Sequence, residues 1–276
     1  MIGLDRRFDV PISWEVNEQL GTYATLYRHL MERIGVEETT AIWNALPAEP
    51  DDLMKQILAY EVGKEEEPCA SDELTEEVQD IFASPLRGVD AESAGAFLLS
   101  HPPFSWLQEA QSELQGVLSL TTYEALHLFR DALARICEET IARFGKAGEL
   151  MVYDALNEEW RSVITEKMPG ADFMKRRLAR YKNPPKTLDI FGAGLDVELK
   201  SGDEKEILAH VTTCEWARYF LERHPSVGYL LACSVDDPVY RLQTDGVRFQ
   251  RRCTLMEGGE YCEFRFYAVD ETGPDA

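Results

Sequence analysis

Apolar residues recur every three or four positions in two stretches of the chain, residues 14–60 and 121–160, and this spacing predicts helices. In the first stretch Gly35 is placed to end one helix. Asp51 and Asp52 follow two prolines and can cap the next helix. We therefore expect the N-terminal part of the chain to be mostly helical.

Between these stretches the pattern weakens. Residues 63–80 are strongly acidic and are typical of a solvated loop and helix face. Asp90 or Ser93 can cap a short helix that runs through Leu99.

From Thr121 the helical pattern is strong again, and Cys137 falls on its apolar stripe, which indicates a core thiol. A further helix is expected up to Trp160. Residues 174–186 then form the one basic cluster of an acidic chain. Such a cluster suits the C-terminal end of a helix, where cations complement the helix dipole. The other interpretation is a positively charged lip that recruits an anion to a site.

After Pro185 the apolar residues alternate with a period of two, which predicts strands. A short helix is expected at residues 216–223. The predicted strands cover residues 196–200, 205–214, 227–233, 247–256 and 261–269. The fold class is therefore α+β, with helices packed on a small antiparallel sheet. We divide the chain into a helical region, residues 1–119, and an α+β domain, residues 120–276.

The last two strands meet at Gly258-Gly259, which we interpret as a two-residue hairpin loop. In that register Leu255 pairs with Cys262, and Cys253 pairs with Phe264. Because alternate residues share a face, both cysteines lie on the apolar face with the phenylalanines. They are expected to be buried core thiols.

Residues able to support chemistry cluster before this hairpin. Cys233 ends the predicted strand 227–233 and is followed closely by Asp236 and Asp237. His210 and Cys214 are four residues apart, so we expect them on one face of their strand.

The composition of the chain restricts the kinds of molecule that it is expected to bind. The formal net charge is −22, and an acidic surface disfavours nucleic acids and anionic membranes. No signal peptide or membrane-spanning run is visible, so we expect a cytoplasmic protein with reduced cysteines. The expected partner is a small molecule, and the sequence leaves the oligomeric state open, a homo-oligomer included.

Three segments carry a family resemblance: HVTTCEWA from His210, GYLLACSVDD from Gly228 and TLMEGGEYCEFRF from Thr254. Together with IARFGKAGELMVYDAL from Ile141, they resemble the L-2-amino-thiazoline-4-carboxylic acid hydrolase family over roughly residues 120–268. That family looks related to small-molecule-binding domains of the 4-vinyl-reductase type. The resemblance implies a hydrolase that opens a small cyclic substrate, a thiazoline or similar amidine.

Such ring opening needs a nucleophile for the carbon between nitrogen and sulfur, and a proton for the departing ring atom. Cys233 is the candidate nucleophile, with Asp236 or Asp237 as acid or base and His210 as the group that lowers the thiol pKa. The candidate substrate-binding residues are Arg252, Cys214, Glu257 and Tyr261. No cofactor is expected.

Other interpretations stay open. Each of these residues also has a structural role available: Cys233 in the core, the aspartates in a turn, His210 in a strand. A zinc site could use His210, Cys214, Cys233 and Cys262 as ligands. A third hypothesis is a non-catalytic sensor that binds a small molecule between sheet and helices.

Overall fold

The structure, a computed structural model, describes residues 8–58, 61–62, 91–105, 117–164, 166–182 and 194–269. The α-helices are α1 (Ile12–Trp43), α2 (Asp52–Leu58), α3 (Ala91–Leu99), α4 (Thr122–Phe144), α5 (Lys146–Val163), α6 (Gly170–Lys182), α7 (Glu215–Arg223) and α8 (Asp236–Gln243). The strands are β1 (Phe8–Pro11), β2 (Glu61–Val62), β3 (Val117–Leu120), β4 (Met168–Pro169), β5 (Leu195–Gly202), β6 (Glu206–Cys214), β7 (Thr244–Asp245), β8 (Val247–Gln250) and β9 (Cys262–Ala268). A π-helix covers Tyr229–Cys233 and a 3-10 helix covers Leu255–Glu257. The predicted α+β class is confirmed.

The described residues fall into two compact units, one up to residue 159 and the other from residue 160. The predicted division at residues 119 and 120 follows the sequence resemblance and falls within the first unit, inside β3. In the parts of the chain that the structure describes, no helix is long and apolar enough to cross a membrane.

The first unit is built from helices and a small sheet of order β1-β3-β2. Gly35 interrupts α1 with φ 85° and ψ 170°, so the predicted helix end is confirmed. Asp51 caps α2 as expected, because its Oδ1 accepts a hydrogen bond from the Met54 amide at 2.9 Å. The acidic stretch 63–80 and Asp90 lie outside the described residues.

Helix α4 begins where the sequence predicts. Thr121 and Glu124 form a capping box in which each side chain accepts a hydrogen bond from the backbone amide of the other residue. Cys137 is fully buried on this helix, and burial raises the pKa of its thiol. The prediction of a core thiol is confirmed.

The second unit is organised on an antiparallel sheet of order β5-β6-β9-β8. Helix α6 lies on one face of this sheet and buries Phe173 and Met174. These two side chains form one cluster with residues from three strands, namely Ile207, Val247, Phe249 and Phe266. Burial of that apolar surface holds α6 on the sheet. The predicted strands β5 and β6, and the helix α7 after them, are confirmed.

The predicted two-residue hairpin is wrong. Gly258 has φ 84° and ends the 3-10 helix, within a longer loop between β8 and β9. Pairing of Leu255 with Cys262 and of Cys253 with Phe264 therefore does not occur. A glycine with positive φ suits both a tight hairpin and the end of a short helix. The pair Gly258-Gly259 alone therefore does not distinguish a hairpin loop from a helix end.

The observed register pairs Phe249 with Phe266, two residues away from the predicted pairing. A shift by two leaves every side chain on its expected face, because faces alternate with period two. Cys262 is buried, as predicted, and Phe264 packs against the buried cluster. Cys253 lies in the loop and is half-buried, so its prediction as a buried strand thiol is wrong.

The predicted strand over residues 227–233 is also wrong, because Tyr229–Cys233 forms a π-helix. The Ser234 amide donates to the Tyr229 carbonyl at 2.8 Å, the five-residue spacing of that helix. A short apolar run such as YLLAC has no periodicity to separate strand from buried helix. Asp236 and Asp237 then form the first turn of α8, where acidic side chains stabilise a helix through its dipole.

Gly228 precedes the π-helix at a point of close packing. A Cβ atom there would meet Phe220 Cβ at 2.6 Å and Met256 Sδ at 2.8 Å. We expect Gly228→Ala to lower the free energy of unfolding by about 1–3 kcal/mol through overpacking. Denaturant unfolding of the variant measures this, with Glu222→Ala on the exposed side of α7 as control. An unchanged midpoint for Gly228→Ala would contradict the packing.

Candidate functional site

The most prominent polar interaction on the helical side of the sheet joins Asp236 to Arg251. Arg251 Nη1 contacts Asp236 Oδ2, and Arg251 Nη2 donates to the Cys233 carbonyl oxygen at 2.7 Å. The Arg251 side chain is 9% exposed and that of Asp236 is 25% exposed. One guanidinium thus joins the loop after β8 to both the π-helix and the start of α8.

Arg251 also lies over aromatic rings. Its Cζ is 5.7 Å from the Phe249 centroid, 5.8 Å from that of Tyr229 and 5.9 Å from that of Phe264. Burial lowers the pKa of Arg251, but Asp236 and its other neighbours more than reverse this, and the net shift is upward. The side chain therefore stays charged in an aromatic surrounding, which suits a guanidinium.

A second guanidinium, that of Arg177 on α6, lies among four aromatic rings. Its Cζ is within 6 Å of the centroids of Phe173, Tyr181, Tyr240 and Phe266. Within the described residues Arg177 makes no ion pair, although Asp236 acts on it at longer range. A partly buried cation without a carboxylate contact is costly unless an anion arrives. Arg177, which also forms a hydrogen bond with Tyr181, is therefore a candidate binding residue for a negative group.

The side chains around these two arginines are enclosed by protein and yet reached by solvent. Burial raises the pKa of Tyr181 and Tyr240, and raises that of Asp236 against the opposing effect of Arg251 and Arg177. All of them nevertheless retain intermediate solvent exposure. Groups that are densely surrounded and still partly accessible are typical of small-molecule sites.

Three thiols lie within electrostatic range of Asp236. Electrostatic coupling connects Cys233 with Cys214 and Cys262, and each of the three with Asp236. Cys214 caps α7 by accepting from the Ala217 amide at 3.4 Å. Cys262 accepts from the Leu255 amide at 3.2 Å. Two of the three thiols thus also have local structural roles.

Burial keeps these thiols protonated. It raises the pKa of Cys214 to about 11, and it raises the pKa of Cys233 and of Cys262 as well. Arg251 lowers the pKa of Cys233 without offsetting burial, and Asp236 raises it further. A thiolate is the reactive form, so the resting state of Cys233 is that of a weak nucleophile.

His210 does not join this cluster. In β6 the buried side chains are Ile207, Ala209 and Val211, so His210 faces the other side of the sheet. There its ring stacks on Tyr261 with centroids 3.8 Å apart. The structure therefore places His210 and Tyr261 away from Cys233 and Asp236, where His210 cannot lower the thiol pKa.

Cys214 lies on the buried side although it is four residues from His210. Asp196 pairs with Thr213 and Val197 with Val211, so Thr212 is an extra residue in β6. Such a bulge reverses the alternation of faces beyond it. The prediction that His210 and Cys214 share a face is wrong for this reason.

The other candidates lie apart from the cluster. Asp237 forms an ion pair with Arg241 at 2.8 Å, with 42% of its side chain exposed. Arg252 is 65% exposed and 3.6 Å from Glu263. Glu257 is exposed in the 3-10 helix, where it accepts from the Thr254 hydroxyl at 2.9 Å.

The four zinc ligands of the alternative hypothesis do not converge, because His210 is on the opposite face from the three cysteines. Among the described residues no group of three or more His, Cys, Asp and Glu side chains is arranged to hold a metal ion.

Sequence reasoning missed Arg251, Arg177 and Tyr240. The alternation that places Phe249 on the buried face also places Arg251 there. Because arginine is seldom buried without a partner, an arginine on an apolar face indicates a functional or paired residue. Arg177 belongs to the basic cluster. Arg180 and Lys182 form the basic end of α6, as the helix-end interpretation predicts, while Arg177 turns inward. Residues 183–186 of the cluster lie outside the described part of the chain.

Comparison with known proteins identifies one family. The family model of L-2-amino-thiazoline-4-carboxylic acid hydrolase matches residues 118–266, just over half of the chain. Neither the curated proteins nor the solved structures give a match. The matched region contains every residue of the site, from Arg177 to Cys262. The resemblance to 4-vinyl-reductase domains stays a prediction. The chain belongs to the L-2-amino-thiazoline-4-carboxylic acid hydrolase family, which supports a hydrolase acting on a small cyclic substrate.

Proposed function

We propose that this protein hydrolyses a small cyclic amidine or thiazoline that carries a carboxylate, at the group of side chains formed by Asp236, Arg251, Arg177 and Tyr240. The observation that carries the proposal is the flanking of one carboxyl group, that of Asp236, by two guanidinium groups. Arg251 contacts it directly, and Arg177 acts on it at longer range. Arg177 is thus left to bind a substrate, and the carboxyl group of Asp236 is left to transfer a proton.

Arg177 is the proposed carboxylate-binding residue. Its guanidinium has no ion-pair partner among the described residues, and the rings of Tyr181 and Tyr240 border it. A planar guanidinium can bind a carboxylate with two parallel hydrogen bonds, which fixes orientation as well as position. The aromatic rings provide flat apolar walls for a small ring. Arg252, the sequence candidate for this role, is exposed in the loop after β8.

Asp236 is the proposed general base. Burial raises its pKa, so the group is a stronger base than an exposed aspartate, and its ion pair with Arg251 favours the ionised form. The carboxylate takes a proton from water as the oxygen adds to the carbon between nitrogen and sulfur. It then returns that proton to the ring atom whose bond to this carbon breaks, and the remaining proton of the added hydroxyl passes to the amidine nitrogen that stays bonded as the C=O bond forms. Water is consumed and no other reactant is needed.

Cys233 as nucleophile is the second candidate. Its carbonyl shares Arg251 with Asp236, and the guanidinium lowers the pKa of the thiol in part. The larger effect of burial opposes thiolate formation, so attack would need Asp236 to remove the thiol proton first. Both mechanisms thus require Asp236, and only one requires Cys233.

Substitution separates these roles. We expect Asp236→Asn to lower kcat by about 10²–10⁴-fold, the range for loss of an acid–base group. Cys233→Ser is expected to keep most of the activity. Asp237→Asn is the matched control, because this neighbouring carboxylate is exposed and paired with Arg241. Turnover of a panel of thiazoline and cyclic amidine carboxylates measures all three variants.

Two outcomes count against the proposal. Loss of activity in Cys233→Ser with a folded protein would transfer the nucleophilic role to the thiol. Absence of turnover across the whole panel, together with tight binding of one member, would favour the non-catalytic sensor.

The substrate carboxylate can be tested against Arg177 in a double comparison. We expect Arg177→Met to raise KM for a thiazoline carboxylate by about 10–100-fold, as for loss of a charge-assisted hydrogen bond. The methyl ester of the same substrate should be a poor substrate of the wild type, and Arg177→Met should affect it little. Equal losses for acid and ester in the variant would show that Arg177 supports the fold rather than the carboxylate.

The pH profile tests the base. Activity should fall as pH decreases through the raised pKa of Asp236, because the protonated carboxyl cannot accept a proton from water. Removing the guanidinium in Arg251→Met removes the charge that favours the ionised form, so this acidic limb should move to higher pH. Arg252→Met, which changes an exposed neighbour, should leave the limb in place. A limb that is unchanged in Arg251→Met would contradict the assignment of Asp236.

A further inference from the structure

Helix α6 has a second face, which the proposed hydrolase site does not use. Its buried side carries Phe173 and Met174 against the sheet, and Arg177 lies there over the ring of Phe266. Four other cations of this helix are exposed to solvent, and we term them the basic face of α6: Lys175, Arg176, Arg180 and Lys182. Residues four or seven positions apart share a side of a helix, so Arg176 lies beside Arg180, and Lys175 beside Lys182.

The basic face has no carboxylate contacts. None of its four side chains forms an ion pair or a hydrogen bond with a described residue. Other exposed cations of the second unit are paired at 2.7–2.8 Å, namely Lys167 with Asp245, Lys200 with Glu198 and Arg241 with Asp237. The chain has 50 acidic residues and 28 basic ones, so a shortage of carboxylates does not explain the unpaired cations of α6.

The helix dipole explains only part of the basic face. Arg180 and Lys182 lie in the last turn of α6, where cations stabilise a helix. The dipole acts on the first and last turns, so it does not favour Lys175 and Arg176 in the middle of the helix. Arg176 and Arg180 are also four residues apart, and like charges at that spacing destabilise a helix. The arrangement therefore brings the fold little, which favours a role in binding.

The layout of the basic face restricts the kind of anion. Lys175 and Lys182 are about 10 Å apart along the helix axis, too far for one small anion to contact both. A single exposed ion pair also contributes little to binding. Nucleic acids and anionic membranes are extended, and they would bring their charge against the acidic remainder of a chain with net charge −22. A short acidic peptide offers several carboxylates without such an extended anionic surface.

The spacing of the cations fits an extended peptide. Arg176 and Arg180 are about 6 Å apart along α6. Alternate side chains of an extended peptide lie on one side and are about 6.8 Å apart, so two carboxylates can meet both arginines at once. We propose that the basic face of α6 is a docking surface for an extended acidic peptide segment of a partner protein. The proposal does not depend on the hydrolase function.

Labelled peptides test the kind of partner. The acidic probe alternates Glu with Ser and is roughly ten residues long, and the neutral control alternates Gln with Ser. Fluorescence anisotropy follows their binding to the full-length protein at physiological ionic strength. We expect the acidic peptide to bind and the neutral one to bind at least about tenfold more weakly, because it forms no ion pairs. The proposal is overturned if the acidic peptide does not bind, or if a short oligothymidylate or phosphatidylserine vesicles bind more tightly.

Variants locate the peptide. One variant neutralises the basic face and should bind the acidic peptide at least about tenfold more weakly: Lys175→Gln, Arg176→Gln, Arg180→Gln and Lys182→Gln. Its melting temperature should not fall, because these exposed side chains lack partners among the described residues. The matched control removes the same charge from exposed, paired cations and should bind within about twofold of the wild type: Arg33→Gln, Lys167→Gln, Lys200→Gln and Arg241→Gln.

Two results would assign the peptide elsewhere. An equal loss of binding in the control variant would show that overall charge, and not the basic face, determines binding. Loss of peptide binding in Arg177→Met would place the peptide at the hydrolase site. Either result overturns the proposal.

Discussion

The contact between Arg251 and Asp236 is the interaction on which the second unit's site depends. It links the loop after β8 to the first turn of α8, and through the Cys233 carbonyl to the end of the π-helix. A buried ion pair adds little net stability when both partners are present, but loss of one partner leaves an uncompensated charge. The pair is therefore better explained by its positioning of the loop after β8, the π-helix and α8 than by the stability that it adds.

The faces of the sheet were predictable from the sequence, even where the pairing was not. The predicted pairing of β8 with β9 is two residues off, yet Phe249, Phe264 and Phe266 face the helices as expected. A face depends only on whether a residue is at an odd or even position, and an error of two preserves that. Helix caps were predictable for a similar reason, since Thr121 and Asp51 act on amides three residues away.

What could not be predicted depends on long-range packing. The bulge at Thr212 reverses the orientation of Cys214, and no residue type in that segment marks it. The run YLLAC is compatible with a strand or a helix, and the surrounding apolar contacts select the π-helix at Tyr229–Cys233. Of the residues in the proposed site, the sequence analysis named Cys233 and Asp236 as candidates, but it chose Arg252 over Arg251. Exposure distinguishes these adjacent arginines, and exposure follows from the direction in which the strand leaves the sheet.

The charge balance of the site runs against that of the whole protein, which carries −22. The distributed surface charge repels the anionic substrate that we propose, but those charges are screened beyond about 8–10 Å at physiological ionic strength. Within the site two guanidinium groups face one carboxylate, a local surplus of one positive charge. There the contact distance is short and the surroundings are apolar, so a single pair is stronger than in water. For the proposed substrate, the local surplus therefore favours retention of the anion, while the overall charge slows only its approach.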